Sequence, residues 1–237
     1  SYVRNTNFSM AYFSGGGSMN MQLGSTNKEE VSYFKDTNIT FTAGQNTLSV
    51  LGVTELNSSK LTFEAQSTNS INMGMFKDSS YNVVADPDST LYFDNLTLEF
   101  KGSNDSTLYM QGTDNFNHKL NIINGVGGSI NLGNGNDTIE YSTGNGQSTI
   151  NMGAGNDYFS LIKGEGTGSP RVNMGEGDDI ININGMSTIN WALNGGAGTD
   201  WLVGLGGVGS YIDGMGTTKA LHLNGSLGSA LAFFDFS

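Results

Sequence analysis

Apolar and polar residues alternate with period two in a series of short runs along the first half of the chain. TLSVLGV (47–53), KLTFEA (60–65), STLYFDNLTLEF (89–100) and STLYMQG (106–112) are rich in β-branched and aromatic residues, the pattern of strands that bury one face. No window carries a helical stripe bounded by caps, so helix is expected to be a minor state.

Beyond residue 118 the sequence repeats itself. INLGNGND (130–137), INMGAGND (150–157) and VNMGEGDD (172–179) align without gaps, and NGGAGTD (194–200) is a fourth copy. Their acids, Asp137, Asp157, Asp179 and Asp200, are 20, 22 and 21 residues apart. Between the copies lie GNGQSTIN (144–151) and NGMSTIN (184–190), where Ser148 and Ser187 take the place of the acid. A strand, a Gly-rich turn, a second strand and a second turn fill about 18 to 22 residues, so the spacing predicts one coil of a stacked β-solenoid, with one acidic and one neutral turn. Stacking predicts rows: Ile130, Ile150, Val172 and Ile189 inward, Ile139, Phe159, Ile181 and Leu202 in a second inward row, and Asn131, Asn151, Asn173 and Asn190 outward. Upstream, SINMGMFKD (70–78) and the twice-used string DSTLY (88–92 and 105–109) are expected to be metal-free coils of the same solenoid.

Composition sharpens this picture. Residues 1–118 hold 9 of the 35 glycines and residues 119–237 the other 26, so the chain changes character near its middle. Ten Lys and Arg against 22 Asp and Glu leave a net charge of −12, which argues against nucleic acid and anionic membranes as partners. No apolar run approaches the roughly 18 to 20 residues of a membrane span, and the opening SYVRNTNFSMAY lacks the basic-then-apolar order of a leader. The absence of Cys excludes disulfides, thiolate metal sites and thiol catalysis.

The candidate chemistry lies in the acidic turns. Paired glycines free the backbone to aim carbonyls at one point, and each Asp adds a charged oxygen, a donor set that selects a hard cation. Carboxylates stacked about 4.8 Å apart repel by about 1 kcal/mol in water and about 4 kcal/mol at an effective dielectric of 20. Four stacked acids leave three intervals, so about three Ca²⁺ in one column are expected, with Mg²⁺ disfavoured by its tight octahedral geometry.

GNGND, GAGND, GEGDD and above all GGAGTDWLV (195–203) resemble the calcium-binding nonapeptide of RTX proteins, G-G-x-G-x-D-x-U-x, which winds as a parallel β-roll. The resemblance covers about residues 125–216. It implies that Asp137, Asp157, Asp179 and Asp200 bridge ions between successive coils. Backbone carbonyls would assist at Gly133, Asn134 and Gly135, at Gly153, Ala154 and Gly155, at Gly175, Glu176 and Gly177, and at Gly196, Ala197 and Gly198. The sequence departs from that pattern in its longer coils, in Leu132, Met152 and Met174 standing where the first glycine belongs, and in the missing acids of the alternate turns. Those departures count against a second ion column.

Motifs for catalysis are sparse. His118 and His222 stand alone, and neither HExxH nor GxSxG occurs. The acid pairs Asp86 with Asp88 and Glu29 with Glu30 suit solvated loops better than a glycosidase. Arg171 keeps a calcium-dependent polysaccharide lyase in view, and Trp191, Trp201, Tyr141 and Tyr158 could stack on sugar, although packing explains them more simply. A flat ice-binding array is broken at Asn134, Ala154, Glu176 and Ala197. Residues 219–237 resemble the uncleaved C-terminal signal of type I secreted RTX proteins, with a capping segment as the alternative.

The expected architecture is all-β: a metal-free β-solenoid (1–124) continuing into a calcium-binding RTX-like β-roll (125–216) and a C-terminal cap or signal segment (217–237). The expected role is a calcium-dependent structural protein of the bacterial cell surface, an S-layer lattice or adhesin segment, secreted and without an enzymatic site. Its expected partners are copies of itself or cell-surface glycan. The competing expectation is a calcium-dependent polysaccharide-active enzyme or sugar-binding module on a β-helix.

Overall fold

The computed structural model describes residues 2–4, 6–10, 18–25, 30–64, 67–77, 79–80, 82–86, 89–101, 106–111, 116–168, 170–183, 192–203, 211–215 and 218–222. These residues form an all-β solenoid of parallel strands with no helix, hence none long and apolar enough to cross a membrane. Two long sheets run the length of the molecule, one of ten strands from Asn7–Met10 to Thr218–His222 and one of nine from Ser18–Leu23 to Tyr211–Met215. The single antiparallel pairing among the described strands is a side hairpin, Met75–Lys77 with Val83–Ala85.

The N-terminal half has a third side. Tyr2–Arg4, Val31–Lys35, Val53–Asn57 and Thr90–Asp94 stack into a four-stranded sheet lying between the other two in chain order. Its corners are sharp because single residues turn them in the left-handed region. Gly24, Gly52 and Gly74 lead into the third sheet or its side hairpin, while Asp36, Ser58 and Asn95 lead out of it. After Thr90–Asp94 each coil has two strands, and the Gly-rich acidic turns connect the nine-stranded sheet directly to the ten-stranded one.

Alternation fills the core as period two requires. Phe41, Phe63 and Phe100 stack with centroids 4.9 Å apart in both pairs and planes tilted by only 10° and 12°. Each such pair contributes about 0.5 to 1.5 kcal/mol beyond its burial. Farther along, Ile139, Phe159, Ile181 and Leu202 stand in register as expected. In the other inward row Leu193, not Ile189, pairs with Val172, and in the outward row Asn194, not Asn190, pairs with Asn173. Spacing explains the shift: LNGGAGTD (193–200) aligns without a gap with INMGAGND (150–157), so Leu193 stands seven residues before Asp200 as Ile150 does before Asp157, in the strand Ala192–Gly196. Ile189, Asn190, Ser187, Trp191 and the segment 223–237 lie outside the described residues.

The upstream echoes are coils of the same solenoid, but DSTLY does not mark equivalent places. Its first copy enters the third sheet through Thr90–Asp94 and its second the nine-stranded sheet through Thr107–Gln111.

Candidate metal centre

Each acidic turn joins a strand of the nine-stranded sheet to the next strand of the ten-stranded sheet; Asp137, Asp157 and Asp179 directly precede the new strand, and Asp200 is the second residue of Thr199–Val203. Stacking therefore sets Asp137, Asp157, Asp179 and Asp200 in one file, all 0 to 2 % exposed. A backward-reaching bond links the file. The N–H of Asp137 donates to Oδ1 of Asp157 (2.8 Å), that of Asp157 to Asp179 (2.7 Å), and that of Asp179 to Asp200 (3.1 Å). The preceding residue runs a second ladder in the opposite direction on the exposed side. Asn156 N–H donates to Asn136 Oδ1 (2.8 Å), Asp178 N–H to Asn156 Oδ1 (2.9 Å), and Thr199 N–H to Asp178 Oδ1 (2.8 Å). Each buried Asp and the residue before it thus clamp successive coils in both directions.

Sequence reasoning missed the head of the file. His118 is fully buried one coil before Asp137, and its N–H donates to Asp137 Oδ1 at 2.7 Å. Its ring packs 5.3 Å from that of Phe93, and its Nδ1 accepts the Phe93 N–H at 3.3 Å, so it closes the end of the third sheet where the acidic file begins. At the other end, backbone register brings Lys219 opposite Asp200. The four acids are therefore bounded by residues of a different kind at both ends. Only Asn117, bonded through Oδ1 to the Asn136 N–H (2.8 Å), hinted that 116–120 belongs to the series.

The glycines of the turns leave no room for a side chain. Gly175 and Gly177 have φ of 109° and 137°, and a Cβ on them would lie 1.7 Å from the Gly153 carbonyl oxygen and 1.8 Å from that of Gly155. The carbonyls of the earlier coil thus point along the stack at Gly153, Gly155, Gly175, Gly177, Gly196 and Gly198, beside the file. Among them Gly133 already accepts a ladder bond from Ala154 (3.1 Å) and Gly175 from Ala197 (2.8 Å); in the other direction the later-coil carbonyls of Glu176 and Ala197 accept from Gly155 (2.7 Å) and Gly177 (2.8 Å). Among the described residues no three acidic or imidazole side chains gather at one point, so side-chain carboxylates alone would not complete the shell of a cation at the file. Leu132, Met152 and Met174 stand in the place of the first glycine because they are core residues.

Comparison with known families, curated proteins and solved structures finds no match. The resemblance to RTX turns rests on the turn sequences alone. The Oδ2 atoms of Asp157, Asp179 and Asp200 are buried and accept no hydrogen bond. Burial pushes Asp157 up to about 7 and Asp179 to about 6, against the pull of the backbone N–H bonds and with help from neighbouring carboxylates. Asp200 is raised for the same first reason. A row of dry carboxylate oxygens beside carbonyls suits a hard divalent cation.

The opposite turns are filled with neutral contacts. Ser148 hydroxyl bonds the Val126 carbonyl and Tyr141 Oη, Asn124 Oδ1 accepts the Glu165 N–H (3.0 Å), and Thr143 Oγ1 accepts the Gly164 N–H (3.0 Å). Arg171 does not adjoin an acidic turn. It opens the strand Arg171–Glu176, whose far end, about 17 Å away, leads into Asp179. Tyr141 is core, whereas Trp201 is 44 % exposed and shares an outward row with Tyr158 and Ile180.

Proposed function

We propose that this chain is a calcium-dependent structural protein of a bacterial cell surface, in which Ca²⁺ completes the C-terminal roll after secretion. Copies of the completed solenoid then associate into a lattice or adhesive layer. One observation carries the reading. Ser59, Ser89, Ser106 and Ser142 make the same backward bond to the N–H of an earlier coil that the four acids make, at 2.8 to 3.2 Å. A hydroxyl suffices for that bond. Using Asp four times in succession adds a buried charge and a second oxygen that the ladder does not need, and a divalent cation gives both a use.

Asp137, Asp157, Asp179 and Asp200 would hold the ions, with turn carbonyls completing the shell, and the bound ions would supply the positive charge that lets stacked carboxylates stay ionised out of water. Because ligand that binds only the folded state stabilises it by mass action, low intracellular calcium leaves the roll loose and exportable, and high external calcium closes it. Isothermal titration of the whole chain with Ca²⁺ is expected to give about three ions bound cooperatively and a rise in melting temperature, with ordered sheets by electron microscopy on addition of calcium. A chain that takes up no calcium at millimolar concentration refutes the ion assignment; one that binds calcium but stays monomeric refutes the lattice.

A further inference from the structure

The third sheet carries a file of aromatic side chains on its outer face. Tyr2, Tyr33, Glu55 and Tyr92 are in direct register across the four strands, and Phe116 of the next coil continues the line. Ring centroids are 5.8 Å apart for Tyr2 and Tyr33 and 5.1 Å for Tyr92 and Phe116. Tyr2 is 53 % exposed, Tyr33 36 % and Phe116 46 %. Two residues along the same face, Lys35, Asn57 and Asp94 form a parallel polar row.

We infer that this face binds one strand of a neutral β-linked polysaccharide, independently of the ion file. The dimensions select the occupant. The file is one residue wide and spans four strand intervals, about 19 Å. At these exposures its three most exposed rings offer roughly 300 Å², well short of the roughly 800 Å² per partner of a stable protein interface. Glu55 within the file and Asp94 beside it repel a polyanion, as does the net charge of −12. Two pairs of rings, 5.8 and 5.1 Å between centroids and separated by Glu55, match a ribbon of pyranose units, whose C–H groups pack on each pair while hydroxyls meet Glu55 between them and Asn57, Asp94 and Lys35 alongside.

Titration of the whole chain with cellohexaose and chitohexaose in calcium is expected to show binding to at least one. Tyr33→Ala weakens it about tenfold, the scale of one aromatic contact, Tyr33→Phe preserves it, and Trp201→Ala on the ten-stranded sheet leaves it unchanged. Binding to neither sugar, an unaltered affinity in Tyr33→Ala, or an equal loss in Trp201→Ala overturns the assignment. Preference for oligogalacturonate overturns the neutral-sugar specificity. A dimer that Tyr33→Ala dissolves would make a second copy the occupant instead.

Discussion

Ser59 and Asp157 make the same bond to the coil behind them and differ by one oxygen and one charge. That difference is testable at a single position. Asp157→Asn keeps an Oδ1 acceptor for the Asp137 N–H but removes the charge that burial disfavours. In the metal-free protein it is expected to raise stability by on the order of 2 to 4 kcal/mol at pH 7, while lowering calcium stoichiometry and cooperativity. Urea melts in chelator, paired with a calcium titration, check both. The pH dependence follows with its sign. A carboxyl whose folded value is raised from 3.8 to about 7 binds its proton in the folded state where the unfolded chain has lost it. Metal-free stability therefore falls as pH rises from about 4 to 7. On the proposed ligand role, calcium is expected to reverse the slope, because protons would then compete with the ion and stability would fall on acidification. Parallel slopes with and without calcium would contradict the ligand role of the file.

At the scale of the turn and strand, the glycines divide into those that carry the stack and those that do not. Gly175→Ala places a Cβ 1.7 Å from the Gly153 oxygen at a φ of 109°, and is expected to cost about 3 kcal/mol or more. Gly127 has its nearest neighbouring atom at 3.7 Å, so Gly127→Ala should change stability by less than about 1 kcal/mol in either direction. Thermal melts of the two variants in calcium compare them directly, and equal effects would mean that the turns do not approach one another as described. The same elements explain what the sequence revealed. Gly155 and Gly177 leave no room for a side chain, so the roll repeats visibly, and the register of Ile139, Phe159, Ile181 and Leu202 was legible residue by residue. The third sheet was not, because Asp36, Ser58 and Asn95 turn the corners that lead out of it without glycine, so only the way in is punctuated. Strand strings such as DSTLY encode an extended backbone with one buried face and say nothing of which sheet receives it. His118 escaped notice for a related reason: its place in the file is set by register, and its neighbours Phe116 and Lys119 share nothing with the glycine and threonine of later turns.

Across the whole molecule, charge and hydrogen bonding are distributed so that the two halves depend on different things. The N-terminal coils are tied by neutral ladders, among them Asn46 Nδ2 to Asn69 Oδ1 at 2.9 Å and Asn69 Nδ2 to Ser106 Oγ at 2.8 Å, and by the stacked phenylalanines. None of these needs an ion. The C-terminal coils instead bury four carboxylates in one line, a repulsive arrangement without a counter-charge. In a solenoid each coil contacts only its neighbours, so such an imbalance can unfold one end and leave the other standing. Hydrogen exchange in chelator is therefore expected to find residues 31–111 protected and residues 130–203 exchanging by local opening, with calcium restoring protection from Asp137 onward. The boundary should fall near His118, where the third sheet ends and the first acid bond begins. Protection that is uniform along the chain and indifferent to calcium would show that the neutral coils and the acidic coils are held by the same forces, and that the file of carboxylates is mechanical only.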